Sequence, residues 1–392
     1  VNAQLYLLLS VMMFLEFAIW GAWSPVLAAR LLGPLKMSGK QTGWIYGTIP
    51  IGCIISPLIA GQIADRWIST EYILGTAHLI GAVLLVWAAN KKTFGSLFGV
   101  MMLYSLCYAA TLPLVNSLMF SHLTDAGKQS PGIFIWAPIA WVLVGLALTA
   151  WRRAKGSGSG EDCLKFAGVL SLVMGAFCFL LPNTPPKGTA GEVLPFVQAF
   201  AMLSDSQFLI FMIVSFVVAA QLQFYFLGTA QYLGDIGVQS KDVPAAMTIA
   251  QAAQTLATLF VLGWLLAKGF QWTLAVGALC WLIMYLAYSA MKPKGLVIAS
   301  QALHGCAYVF FIIGGQIYVN SVAEKTIASS AQALLFMATV GFGLFFGTQF
   351  TGAVMDRCNV AGKFSWRSIF LVPCTLILIC AVVLILFFKG GK

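Results

Sequence analysis

Leu5–Leu32 reads LYLLLSVMMFLEFAIWGAWSPVLAARLL. The run exceeds the about 20 apolar residues that cross a hydrocarbon core. It lacks a basic leading segment and is too long for a secretory signal, so it is expected to remain as a first membrane span. One carboxylate, Glu16, interrupts it more than ten residues from either end. The rest of the chain continues in the same manner. Of 392 residues, 60% are hydrophobic and 9% charged, whereas soluble domains carry about 25% charged residues. So few charges cannot cover a soluble globule of this size, and composition excludes a soluble enzyme, a disordered chain and a nucleic-acid binder. The net charge of +10 does not alter this, because the basic residues are scattered among the loops and form no patch.

Apolar runs separated by polar or Gly/Pro breaks predict twelve spans. They cover 5–31, 41–65, 71–89, 96–120, 132–151, 163–181, 207–232, 243–268, 272–291, 295–320, 327–355 and 366–388. The expected fold is an all-α polytopic membrane protein with twelve transmembrane helices in two six-helix bundles, residues 1–181 and 207–392. A central cytoplasmic linker, 182–206, joins them. The nine cysteines show no C-x-x-C spacing, so neither a disulfide framework nor a metal site is expected. Nothing matches a nucleophile elbow, a zinc-protease helix or a phosphate-binding loop. The chain is therefore expected to be no enzyme, to hold no cofactor and to draw on an ion gradient if it drives active transport.

In a bundle the informative residues are polar groups that enter hydrocarbon at a cost. Glu16 is the clearest, since a charge at mid-span costs at least about 2.5–3.5 kcal/mol and normally faces a cavity or a partner. It is the candidate for proton coupling. Gln251 and Gln254 are three apart on one helical face, and amides that both donate and accept suit a neutral polar solute. Gln221 and Gln223 do not share a face, so at most one of them points squarely inward. His304 and Tyr308, four apart, present a ring and a phenol on one face. Tyr108, Thr111 and Asn116 surround Pro113, where helical bonding loosens. Phe134 and Trp141 add flat surface on which a flat solute can stack. Gly341, Gly343 and Gly347 read as close helix packing, and His78 and His122 read as structural.

Several segments, in order, resemble the nucleoside:proton symporter family, a branch of the major facilitator superfamily. They are Phe17–Trp23, the G-x-x-A-D-R-W run Gly61–Trp67, Tyr108 to Asn116, Ile135-Trp136 and Leu222-Gln223. Further on come Gln251-x-x-Gln254-Thr255-Leu256, Gly305-Cys306-Ala307 with Phe310-Phe311, and Ser330-Ala331-Gln332 with Gly341-Phe342-Gly343. The resemblance implies a midplane site worked by alternating access, with Phe134, Pro138, Trp141, Gln223, Phe226, Gln251, Gln254, His304 and Tyr308 at the nucleoside positions. It further implies an Arg at the place of Phe134, a Glu at Gln254 and an Asp at Val309, all neutral in this chain. Glu16 stands where the family commonly has Gln. The expected partners are a nucleoside-like solute, protons and the bilayer, with a sugar or amphipathic metabolite, or a receptor role without transport, as alternatives. Gly61, Asp65 and Arg66 resemble the superfamily's cytoplasmic gating motif and place the N-terminus inside a plasma (inner) membrane. The Lys/Arg count opposes that orientation, with seven of the 22 on the inner side.

Overall fold

The computed structural model describes residues 2–124, 126–156, 159–186, 200–323 and 328–390. Within them the chain builds the twelve expected spans, here α1 to α12. They are α1 (Ala3–Leu32), α2 (Gly39–Tyr46 continued by Thr48–Arg66), α3 (Thr70–Ala89), α4 (Phe94–His122), α5 (Gly132–Lys155) and α6 (Asp162–Cys178). The second six are α7 (Ser206–Asp235), α8 (Val243–Phe260 continued by Leu262–Leu266), α9 (Phe270–Ala290), α10 (Lys294–Val322), α11 (Leu334–Arg357) and α12 (Trp366–Phe387). A two-residue hairpin, β1 (Asn359–Val360) with β2 (Lys363–Phe364), precedes α12. Among the described residues nine spans are long and apolar enough to cross a membrane. Of the others, α2 and α8 are broken near Gly47 and Val261, and α6 has 17 residues. Most of the expected linker, 187–199, lies outside the described residues.

Two compact units emerge, one built on Val1–Gly191 with Leu233–Thr248, the other on Glu192–Tyr232 with Ile249–Lys392. Within the first, α3 packs on α6, α1 on α5 and α6, and α2 on α4. Within the second, α9 packs on α12 and α10, and α7 on α12 and α11. Shifting the first set by six helices reproduces most of the second, the mark of parallel internal repeats. The glycines follow the same rule. A Cβ at Gly52 of α2 would meet the Ser105 carbonyl of α4 at 2.6 Å, and one at Gly305 of α10 would meet the backbone of α8 at Ala250 and Gln254. In both units an α2/α4-type pair thus touches backbone to backbone where a side chain is missing. Gly347 does the same for α11 against the Ala220 backbone of α7, and Gly343 makes room there for the Ala219 methyl, as their spacing predicts.

Candidate functional site

In the second unit α7 breaks at Leu222, between segments ending at Gln221 and starting at Gln223. Such a break places polar groups at mid-span without exposing backbone to lipid. Gln221 is 0% exposed, and neither its amide nitrogen nor its amide oxygen has a partner. A buried amide left unpaired costs about 1–3 kcal/mol, so Gln221 is unfavourable as a packing residue. Gln223 is also buried. Three residues past Leu222, the Tyr225 ring stacks on His304 of α10, centroids 3.8 Å apart and planes 17° from parallel, while Phe226 meets the same imidazole edge-on at 6.1 Å. The Tyr225 hydroxyl donates to Gln301 Oε1 at 3.1 Å.

Trp281 of α9 completes this set. Its indole N–H donates to His304 Nδ1 at 3.1 Å. A nitrogen that accepts a hydrogen bond cannot also carry a proton, so His304 is held neutral, with its hydrogen on Nε2. That geometry suits recognition and stacking, not proton carriage. The backbone contact at Gly305 brings α8 alongside, with Gln251 and Gln254 half-buried on it. Tyr308 opens a π-helical turn, Tyr308–Ile313, and a second runs over Met337–Gly343 of α11. Single π turns inside α-helices concentrate at functional sites because they re-aim side chains at the expense of regular bonding. The expected residues Phe226, Gln251, Gln254, His304 and Tyr308 thus gather along α7, α8 and α10.

The first unit holds the carboxylate. Glu16 is 0% exposed and His78 of α3 is 1% exposed, with His78 Nε2 at 2.9 Å from Glu16 Oε2. The Thr111 hydroxyl of α4 lies 2.7 Å from Glu16 Oε1 and 2.6 Å from the Tyr108 carbonyl. The Tyr108 hydroxyl donates to the Glu16 main-chain carbonyl at 2.8 Å. Ser171 of α6 donates to the His78 carbonyl, also at 2.8 Å. Two helices, α3 and α4, therefore both bond the one carboxylate of α1. Around it runs an aromatic wall in which Trp20 meets Tyr108 at 6.2 Å and Trp141 at 6.0 Å. Trp141 lies flat on α1 because Gly21 leaves the room; a Cβ there would sit 2.9 Å from the indole.

The remaining expected residues fall outside this convergence. Phe134 is partly exposed and meets Phe120 at 6.1 Å. Asn116 keeps a buried Oδ1 without a partner, one turn beyond Pro113. Gly61, Asp65 and Arg66 end α2, and their side chains lie outside the described residues. Three residues that the sequence did not single out for a site lie against residues that it did: His78 against Glu16 in the first unit, and Tyr225 and Trp281 against His304 in the second. For His78 the signal was present, since a titratable group deep in an apolar span calls for a partner as Glu16 does. Tyr225 and Trp281 carry no sequence signal, because aromatic residues are common in every span.

The family model for the nucleoside H+ symporter matches residues 3–392. YegT of Escherichia coli is 31% identical over 399 residues, covering 97% of this chain and 93% of that protein. The nucleoside permease NupG of Escherichia coli is 28% identical over 391 residues, covering 94% and 92%. The crystal structure of the nucleoside transporter NupG superimposes with a TM-score of 0.86 at 26% identity, covering 99% of this chain and 100% of that one. These relatives are permeases and transporters, and the fold is the two-bundle, twelve-helix fold of the major facilitators. This multi-pass inner-membrane chain belongs to the nucleoside H+ symporter family.

Proposed function

We propose that the chain carries nucleosides across the inner membrane by alternating access, with proton movement as the driving reaction. The observation that carries this reading is a likeness to the nucleoside permease NupG that runs the length of both chains. The chemistry of the second unit supports it. A nucleobase is flat and apolar on its faces, and its edge alternates donors and acceptors. Tyr225, His304 and Phe226 offer rings, and the amides of Gln221, Gln223, Gln251 and Gln254 offer both donors and acceptors. Tyr308, Trp141, Phe134, Tyr108 and Asn116 belong to the same proposal as lining residues. Gly61, Asp65 and Arg66 belong to it as gating residues near the end of α2. Glu16 is the proposed proton carrier. Taking up a proton cancels its charge when the cavity closes and releasing it restores the charge, which suits a cycle between two access states.

Counterflow in proteoliposomes tests this reading. Vesicles preloaded with unlabelled uridine or adenosine should accumulate the labelled nucleoside transiently and saturably, and maltose or xylose should neither exchange nor compete. Exchange of sugars without exchange of nucleosides would overturn the substrate assignment. Saturable binding without exchange would make the chain a receptor.

A further inference from the structure

Glu16 does not stand alone. It shares its hydrogen bonds with a second titratable group as deeply buried as itself. We infer that Glu16 and His78 form one proton-binding site, loaded by a single proton that both residues hold, and that the Thr111 hydroxyl turns between two acceptors as the site fills. This rests on the reading of Glu16 as proton carrier and adds to it a partner and a response.

The hydrogen-bond inventory leads there. With no added proton, a carboxylate has only acceptors. The hydrogen between Glu16 Oε2 and His78 Nε2, 2.9 Å apart, must then belong to the imidazole, which leaves Nδ1 bare. The pair carries one negative charge. A proton arriving from water binds at Nδ1, giving carboxylate and imidazolium, and the Nε2 hydrogen can then pass to Oε2, giving carboxylic acid and a neutral imidazole protonated at Nδ1. Both forms are neutral overall, so neither needs a further counter-ion. The opposite holds for His304, whose Nδ1 is occupied by the Trp281 N–H.

Among the described residues no lysine or arginine pairs with Glu16. The other titratable groups in electrostatic reach are the phenols of Tyr104 and Tyr108 on α4 and the Cys178 thiol of α6. Cys53 of α2 and Cys107 of α4 stand behind those phenols. α5 brings indoles, Trp136 against Phe14 and Trp141 against Trp20.

Thr111 supplies the response. Its hydroxyl has one hydrogen and two acceptors in range, Glu16 Oε1 at 2.7 Å and the Tyr108 carbonyl at 2.6 Å. A charged carboxylate is the stronger acceptor, so the unloaded site holds the hydroxyl. Once the pair is neutral, the Tyr108 carbonyl competes for it. That carbonyl sits in α4 just before Pro113, whose missing N–H leaves the Ala109 carbonyl without its helical donor. The hydroxyl thus reports the proton to a stretch of α4 already loosened, and Tyr108 links that stretch to Trp20.

The experiment compares Glu16→Gln, His78→Gln, Thr111→Val and Thr111→Ser in vesicles, measuring nucleoside counterflow and accumulation driven by an imposed pH gradient. Shared carriage requires that His78→Gln and Glu16→Gln both lose gradient-driven accumulation while counterflow persists. Thr111→Val should displace the pH profile and Thr111→Ser should restore it. If Glu16→Gln loses accumulation and His78→Gln keeps it with an unchanged pH profile, Glu16 acts alone and the shared site is refuted. If wild-type vesicles show counterflow but no response to the gradient, the proton-carrier reading itself has failed. Should His78→Gln not fold, ¹⁵N-histidine spectra of the wild type decide, since the chain has 3 histidines. A His78 signal that keeps one tautomer at every pH and does not follow the transport profile overturns the inference. A change of protonation or hydrogen bonding that tracks uptake supports it.

Discussion

Gln221 and Gln254 separate packing from recognition more cleanly than any other residues of the second unit. Gln221 has both amide atoms buried and unpaired, so as a structural residue it is unfavourable. Replacing an unsatisfied polar group by an apolar one of similar shape is neutral or stabilising. Gln221→Met should therefore raise the thermal midpoint of the purified protein and lower its affinity for a nucleoside. A rise in stability with unchanged affinity would show that the amide serves no solute. For Gln254, loss of one hydrogen bond of roughly 1.5 kcal/mol, with the solute group left unpaired, predicts a dissociation constant higher by one to two powers of about ten in Gln254→Ala. Titration calorimetry or a thermal-shift series with uridine reads it directly. Lower stability with unchanged affinity would instead assign the side chain to packing. Trp281→Phe keeps the ring but removes the donor to His304. It should weaken nucleoside binding through the freed imidazole without touching the solute itself.

The spans were legible because hydrophobicity over about 20 residues is a local property; the expected bounds fall within a few residues of the helices observed. Interruptions inside the spans were not legible. The break in α7 at Leu222 and the π turns at Tyr308–Ile313 and Met337–Gly343 carry no proline, and they arise where neighbouring helices replace lost backbone bonds. The site was half legible for the same reason. Same-face spacing brought out Gln251 with Gln254 and His304 with Tyr308, whereas the Glu16–His78 contact joins residues 62 apart in sequence and depends on how α1 meets α3. Close helix approach gives the test at this scale. A Cβ at Gly305 meets backbone atoms, which cannot rotate away, while Gly295 in the same helix has open space. Overpacking of this kind costs about 1–3 kcal/mol. Gly305→Ala should lower the thermal midpoint and impair nucleoside binding by pushing α8 and its amides aside, and Gly295→Ala should leave both at wild-type values.

Across the molecule, charges concentrate at one end of the first unit, and their burial decides which of them matter. Arg153 and Asp242 pair at 2.7 Å but remain partly exposed, so the pair is worth only about 0–1 kcal/mol. Arg152 grips Asp162 with two nitrogens, each 2.6 Å from a carboxylate oxygen, and both side chains are largely buried. Truncating Arg152 alone strands a buried carboxylate at about 3–5 kcal/mol. Arg30 reaches Ser159, Glu161 and the carbonyls of Ala89 and Lys91. Gly160, at φ +80°, lets the loop turn across its stem. Glu161 is the pH-sensitive member of this end. Donation from the Ser159 hydroxyl first, then its own backbone amide and the Arg30 guanidinium, hold its carboxyl down at about 2, against the opposing effect of burial. A carboxyl whose folded value lies below its unfolded one stabilises the fold above the unfolded value and loses that contribution as pH falls through the folded one. For Glu161 that window runs from the ordinary value of 4.5 down to about 2. Glu161→Gln cannot titrate, so its thermal midpoint should lie below wild type near neutral pH, and the gap should narrow as the buffer is taken from about pH 6 to about pH 3. A constant gap across that range would show that the Arg30 cluster holds Glu161 by shape and hydrogen bonding alone, without drawing on its charge.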